Sequence, residues 1–447
     1  PRVVGGPAAS DWATVLVKCG YDLAVVGEGE ETLRELLDKG LSDGVLPSPD
    51  ELRRVKGVAY MEEGGVAFTG LRPFMRRREY TRHRPSTRAV THYPGYRAMR
   101  VYVEVVRGCS NYYRTTMELP DGRRCTECGA CRSGPLSRRY YCPVGIPPGC
   151  GYCSVPSLFG PSRSRDVESI LGEVEELVRL GVRRVVLSGS DILDYGRDLQ
   201  VEPEPLTDPR EPPANLEELE ELLSGLHRLV KSSGGRFSVM AENVKPNLVD
   251  RDVAELLGRY LKGTAINVGF ETGSEEHSRA LGRPSTPSEA LRAVRLLRRA
   301  GLRPYVYFIH GLPGESLETA SETVRAIREC RRLGAERIIV YRFRPLPMSA
   351  FGDMPSPPPA HASPAGMAVK RAAEEANRSS RDELIGRRVR AVVYGRVRGR
   401  GWIAYPMGHG PVMVVRGFRG ESGDVVEVEV VKALSDRVVE ARWVKNV

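Results

Sequence analysis

Between residues 101 and 345 six β-rich runs alternate with stretches of helical periodicity, and that alternation restricts the fold more than any other feature. The runs are VYVEVV (101–106), RRVVLSG (183–189), RFSVM (236–240), TAINVGF (264–270), RPYVYFIHG (303–311) and ERIIVYRF (336–343). A strand that returns through a helix lies parallel to its predecessor, with a right-handed crossover. The expected class is therefore α/β, a barrel or partial barrel whose chemistry lies at the C-terminal ends of its strands. Ser164 is expected to cap the first helix of the series and Gly181 to end it.

Nine cysteines stand in the chain, and seven of them fall between Cys109 and Cys153. Cys19 and Cys330 stand alone and read as small buried apolar residues. With 447 residues, no secretory signal and no apolar run of the ~20 residues that spans a bilayer, the chain is expected in the cytosol, without a membrane partner. It opens on Pro1, inside a strand-and-turn pattern, so its start is expected to be trimmed. In such a chain clustered cysteines favour metal over disulfides. Cys125, Cys128 and Cys131 form a C-x2-C-x2-C run, and Cys142-Pro143 follows. The run resembles the iron–sulfur ligand spacing of bacterial ferredoxins, and structural zinc is the alternative.

The phrases EVVRGC (104–109), GCGYCSVP (149–156), GFETGSEEHSRALGR (269–283) and YFIHGLPGES (307–316) occur in an order that resembles the core of radical S-adenosylmethionine (SAM) enzymes. The resemblance implies a partial (β/α)6 TIM-like barrel over 101–345, with three cysteines holding a [4Fe–4S] cluster whose fourth iron binds SAM. The family spacing is C-x3-C-x2-C, and this chain departs from it. A split cluster is expected: Cys109, Cys150 and Cys153 for SAM, and Cys125, Cys128, Cys131 and Cys142, within an insertion at 110–149, for a second [4Fe–4S] cluster or zinc. The rival partition gives Cys142, Cys150 and Cys153 to SAM and Cys109 to the second centre. The resemblance also implies SAM contacts at Tyr152; at Ser188, Gly189 and Ser190 near the amino group; at Glu271 for a hydroxyl or ammonium; and at His310 and Gly311 beside adenine. For Glu271 the alternative is an exposed strand-end acid, and for His310-Gly311 a turn. No catalytic residue is singled out.

Past residue 345 the pattern changes. Residues 346–380 read as a Pro-rich linker or wrapped extension and a short helix, and 381–447 as short strands of a small oligonucleotide-binding-like barrel. LIGRRVRAVVYG (384–395) and GDVVEVEVVKA (423–433) resemble the TRAM domain of RNA-modifying enzymes. Arg387, Arg388, Arg390, Arg396, Arg398 and Arg400, interleaved with Tyr394 and Trp402, combine phosphate neutralisation with base stacking, and the net charge of +10 agrees with an acidic partner. A structural or protein-docking role is the alternative.

RVVGGPAAS (2–10) and YDLAVVGEGEETLRELL (21–37) resemble the second half of the cobalamin-binding domain found ahead of many radical SAM methyltransferases. The D-x-H-x-x-G motif of that domain is absent from 1–100, so these residues are read as a partial α/β region, with cobalamin an open alternative. The expected function is methyl transfer to a base of tRNA or rRNA, with an electron donor such as ferredoxin or flavodoxin. Methylthio transfer to tRNA is the first alternative. The compared methylthiotransferases hold their second cluster with three cysteines, leaving an iron open for sulfur, whereas four are available here. A non-catalytic, zinc-containing RNA-binding scaffold is the alternative of another class.

Overall fold

The computed structural model describes residues 1–397, 401–435 and 437–447. Six strand positions lie parallel: Arg100–Glu104, Arg184–Ser188, Ser238–Ala241 with its continuation Asn243–Val244, Ala265–Glu271, Arg303–His310 and Arg337–Arg342. Glu242 interrupts the third strand without breaking the layer, because its N–H donates to Leu187 O (3.0 Å) and its carbonyl accepts from Asn267 N (3.0 Å). The first and last strands do not pair with each other, so the barrel is open on one side.

Alternate strand residues face outward and meet the crossover helices. Val103, Val185, Leu187, Val268, Val306 and Phe308 share one core with Ile170, Leu222, Leu257, Val294 and Ile327 from the helices. Full burial of such side chains contributes about 1.5–3 kcal/mol each. The first helix, Val167–Arg179, is preceded by Asp166 rather than Ser164. Ser164 lies in the short strand Arg163–Ser164, which pairs with Val106–Arg107, and its hydroxyl is bound to Asp198. Gly181 does end the helix, in a left-handed conformation (φ 98°).

The linker-and-helix reading of 346–380 changes most. The helix is 19 residues long, Pro364–Asp382, and its Val369, Ala372, Ala373 and Ala376 belong to the barrel core. Its Asn377 brackets the outer edge of the last strand: Nδ2 donates to Ile338 O (2.7 Å) and Oδ1 accepts from Ile338 N (2.8 Å). An open strand edge is thereby satisfied by one side chain. Asn377→Ala is expected to lose both bonds and to destabilise the fold by about 1–3 kcal/mol, read as a lowered denaturation midpoint. The Pro-rich segment before the helix is a strap across the C-terminal ends of the strands. Phe351 is fully buried, its N–H donates to Gly151 O (2.8 Å), and Pro357 lies so close to Gly311 that a Cβ there would come within 2.5 Å of it.

Residues 1–100 carry a four-stranded sheet in which only Val3–Val4 and Leu23–Val25 are parallel; Val58–Glu62 and Gly65–Phe68 form a hairpin. Buried Glu28 pins this region to the barrel through Arg163 (3.1 Å) and Arg107 (3.5 Å) and accepts from Met75 N (2.7 Å). Cys330 is buried as expected, whereas Cys19 is exposed at the end of a helical turn.

The C-terminal strands Arg388–Val397, Gly401–Pro406, Val412–Arg416, Val425–Ala433 and Val438–Asn446 close into a barrel around Val393, Met413, Val428 and Val439. It docks on the N-terminal ends of the parallel strands: Ala265 N donates to Gly408 O (3.1 Å), Ser238 Oγ to Met407 O (2.6 Å), and His409 packs on Tyr305 (ring centroids 5.2 Å). Among the described residues no helix is long and apolar enough to cross a membrane.

Candidate active site at the cysteine-bearing mouth

The end of the first barrel strand turns sharply at Gly108 (φ 80°), where a Cβ would stand 2.1 Å from Pro161 O; only glycine allows this approach. Cys109 follows, buried, with its N–H on Gly160 O (3.1 Å). The chain then runs beside Ala280–Gly282, with Thr116 N donating to Ala280 O (3.0 Å), before it leaves for the insertion. It returns at Gly149, whose N–H donates to Tyr113 O (2.8 Å), so the insertion is closed at its base. Cys150–Cys153 forms a turn closed by Cys153 N to Cys150 O (2.8 Å).

Asn111, only 2% exposed, ties the ends together. Its N–H donates to Cys109 Sγ (3.4 Å), its Nδ2 donates to Cys150 Sγ (3.3 Å) and Gly282 O (3.0 Å), and its Oδ1 accepts from Tyr113 N (3.1 Å). Burial pushes the Cys153 thiol up to about 12, and the neighbouring Cys150 and Cys109 thiols push in the same direction. Burial raises the Cys109 thiol as well, and since a thiolate is the ligand form, Cys109 and Cys153 become stable as anions only beside a cation. This donor set suits an iron–sulfur cluster.

The other four cysteines gather elsewhere. Cys125, Cys128, Cys131 and Cys142 line one cavity of about 350 Å³, together with Arg114, Arg132, Glu276 and Arg279. The structure thus groups Cys109 with Cys150 and Cys153, and Cys142 with the C-x2-C-x2-C run. Among the described residues no three or more His, Cys, Asp or Glu side chains converge on a single-ion position.

The remaining residues expected at the mouth divide. Ser190 Oγ donates to Gly108 O (2.6 Å), and a Cβ at Gly189 would stand 2.7 Å from Val106 O, so both brace the turn before Cys109. Ser188 Oγ donates to Glu242 (2.6 Å). Glu271 ends its strand in a left-handed conformation (φ 64°) and is not an exposed acid: its side chain is 14% exposed and pairs with Arg283 (3.2 Å). Burial raises the Glu271 carboxyl and Arg283 opposes the rise. Arg283 also donates to the Tyr152 hydroxyl and to Gly269 O (2.9 Å), which joins Glu271 to the Cys150–Cys153 turn. His310 is buried against the start of helix Pro364–Asp382, where a Cβ on Gly366 would stand 3.0 Å from its Nδ1, and Gly311 is covered by Pro357. The strap thus covers the adenine position expected there.

A buried charge network below Cys109 escaped the sequence. Asp194 accepts from Ser110 N (3.2 Å) and Ser110 Oγ (2.9 Å) and is paired with Lys245 and Arg197. Burial raises the Asp194 carboxyl, but Lys245 and Arg197 outweigh that and hold it down to about 2. Asp191, 3.5 Å from Lys245, is raised to about 6 by burial and by Asp194. The available signal was three aspartates in SDILDYGRD followed by one lysine in ENVKPN, with nothing to pair them.

The radical SAM superfamily model matches residues 140–327. This chain belongs to the radical SAM superfamily. As such it is an enzyme of [4Fe–4S] and SAM chemistry, and the match begins beyond Cys109 and includes Cys142, Cys150 and Cys153. The radical SAM chain is 47% identical over 449 residues to the uncharacterized protein MK0932 of Methanopyrus kandleri, covering 99% of this chain and 80% of that one. It is 28% identical over 295 residues to the ribosomal protein uS12 methylthiotransferase RimO of Thermotoga sp. strain RQ2, covering 64% and 63%. Its fold is similar to the radical SAM methyltransferase TsrM from Kitasatospora setae, with TM-score 0.52 and 19% identity over 79% of this chain and 57% of TsrM.

The arginines expected to bind RNA separate on the C-terminal barrel. Arg390 Nη2 donates to Gly235 O (2.9 Å) and so serves docking, and Arg388 pairs with Glu427 (3.5 Å). Arg387 faces a cleft shared with Arg298 and Arg331. Arg396 and Trp402 line a cavity of about 620 Å³ with Arg416, Phe418 and Arg419. Arg398 and Arg400 lie outside the described residues.

Proposed function

We propose that this radical SAM enzyme transfers a methyl group to a base of tRNA or rRNA. The observation that carries the reading is the open side of the barrel, which runs from the cysteine mouth toward the docked C-terminal barrel. Tyr102 and Tyr341, on its two edge strands, are 45% and 53% exposed, and Tyr307 stacks on Tyr341 (centroids 5.6 Å, 11°) with its hydroxyl on Asn267 Oδ1 (3.0 Å). Exposed, preorganised aromatic faces suit an unstacked base, while the Arg396–Arg416–Arg419 surface suits the backbone.

In this reading Cys109, Cys150 and Cys153 hold the SAM cluster. When bound, cluster and SAM supply a carbon-centred radical after one electron arrives from a donor of the ferredoxin or flavodoxin class. Asn111 orients two of the thiolate sulfurs by donating to them, Arg283 keeps the Glu271 carboxylate aimed beside the Cys150–Cys153 turn, and the Phe351 strap keeps water from one side of the mouth. A TsrM structure contains cobalamin as well as a [4Fe–4S] cluster. Residues 1–100 fit cobalamin poorly, with one parallel strand pair and no D-x-H-x-x-G histidine.

Arg396→Ala/Arg416→Ala/Arg419→Ala is expected to weaken RNA binding and to lower the slope of log K against log salt by about two to three, since each lost phosphate contact removes about 0.7–0.9. An unchanged slope moves the RNA site elsewhere. Nucleosides from cells without the protein are expected to lack a CH2 increment that returns on complementation. The second reading, methylthio transfer to RNA or to a ribosomal protein, is favoured by the RimO relatives and predicts a missing CH2S increment instead.

A further inference from the structure

The insertion at 110–149 is long for a loop and contains little regular structure beyond the turn of helix Ala130–Ser133. Its core is thin: beyond Tyr112 and Tyr113 at its base, its buried apolar members are Leu119 and Ile146, which join a small cluster with Leu312, Phe343 and Phe351. A segment of this kind is held by something other than its own packing.

Polar anchoring begins at buried Arg114, whose guanidinium donates to the carbonyls of Tyr112 (3.0 Å), Ile146 (2.9 Å), Arg139 (2.9 Å) and Tyr140 (2.9 Å). That arrangement fixes the two ends of the insertion and leaves its middle, residues 125–131, folded around a cavity. Two left-handed residues flank Cys128, Glu127 (φ 51°) and Gly129 (φ 73°). A non-glycine residue in this region is strained and needs an external reason. Here the conformation bends the run so that its three thiols and that of Cys142 all face the same 350 Å³ space. Glu127 N donates to Cys125 Sγ (3.4 Å), repeating the relation of Asn111 N to Cys109 Sγ (3.4 Å), an amide two residues on that stabilises negative charge on sulfur.

We propose that Cys125, Cys128, Cys131 and Cys142 hold a second [4Fe–4S] cluster, ligated at every iron by cysteine and separate from the cluster at Cys109, Cys150 and Cys153. Four cysteines line this one space, three of them at the C-x2-C-x2-C spacing of iron–sulfur ligands with Cys142-Pro143 following, which favours a multi-atom cluster over zinc. Arg114, Arg132 and Arg279 on the cavity wall outnumber its carboxylates, Glu127 and Glu276, and offset part of the negative charge of a four-thiolate centre. Cys125 and Cys142 pack against the same apolar cluster as Tyr152, so the two centres flank one small hydrophobic partition. This assignment is independent of the substrate and of the group transferred.

The test uses the full chain, purified and reconstituted without oxygen. Wild type is expected to hold about eight irons, two clusters of four. Cys128→Ala/Cys131→Ala is expected to hold about four, with the electron paramagnetic resonance signal that shifts on SAM addition retained; that retained signal also reports an intact fold. The complementary Cys109→Ala/Cys150→Ala/Cys153→Ala variant is expected to hold about four irons whose signal does not respond to SAM. The proposal is overturned by about four irons plus one zinc in wild type, by a Cys128→Ala/Cys131→Ala protein that keeps its full iron content, or by a complementary variant that retains none.

Discussion

Replacing Cys109 with alanine is expected to abolish reductive cleavage of SAM, a drop of at least about a thousandfold, or roughly 4 kcal/mol of barrier. The effect is this large because no other thiol can stand in. Cys142, the alternative third ligand, faces the second cavity, and the base of the insertion is fixed by Gly149 N on Tyr113 O. Cys109 is fixed from behind by Gly160 and from the side by Asn111, so losing its sulfur removes a ligand that the backbone cannot replace by shifting. The assay is formation of 5′-deoxyadenosine with a chemical reductant. Undiminished cleavage in the variant would transfer the ligand role to Cys142. Asn111→Ala should show a milder defect, since the three thiols remain while two hydrogen bonds to sulfur are lost.

Asp194→Ala is expected to be the most destabilising substitution outside the cysteines, by about 3–5 kcal/mol. Asp194 is completely buried, and its two oxygens serve Ser110 together with two cations, Lys245 and Arg197, the latter also completely buried. Removing the carboxylate leaves Lys245 with Asp191 at 3.5 Å and Arg197 with the carbonyls of Pro212 and Asp208, so much of the desolvation of both cations is no longer offset. Against a total stability of about 5–15 kcal/mol this loss leaves little reserve. Asp194→Asn keeps acceptor capacity without charge and should fall between. Asp194→Ala/Lys245→Met should lose less than the sum of its parts, because one stranded charge is gone. Denaturation midpoints measure all three, and additive losses would show that the pair is uncoupled.

The contrast between these two sites explains what the sequence could reveal. The strands and helices of the barrel were legible because each encodes its own burial pattern locally, as in ERIIVYRF or the helix Leu317–Arg332. The two groups of cysteines were legible because ligand spacing is also local, except where Cys109 is separated from Cys150. Asn111, Arg283 and Lys245 were not legible: each acts through partners far along the chain, and a single asparagine or arginine has no periodicity to betray it. Ser164 matched the capping preference, yet pairing with Val106–Arg107 took it into a strand. Helix Pro364–Asp382 was underestimated because its buried face is mostly alanine, which reads as weakly apolar, and because prolines precede it. The strap before it was legible only as a linker or wrapped extension, since its composition gives no sign of a packed element while Phe351 and Pro357 are fixed by glycines at positions 151 and 311.

That strap has a consequence for how the protein is made. Phe351 lies about two hundred residues beyond Cys153, the last of the clustered cysteines. At about 5–20 residues per second, a ribosome delivers the cysteine turn roughly ten to forty seconds before the segment that covers it exists. During that interval the thiols stand without their lid, open to iron delivery and equally to oxidation. Chain order, as much as geometry, therefore sets when the site can be loaded.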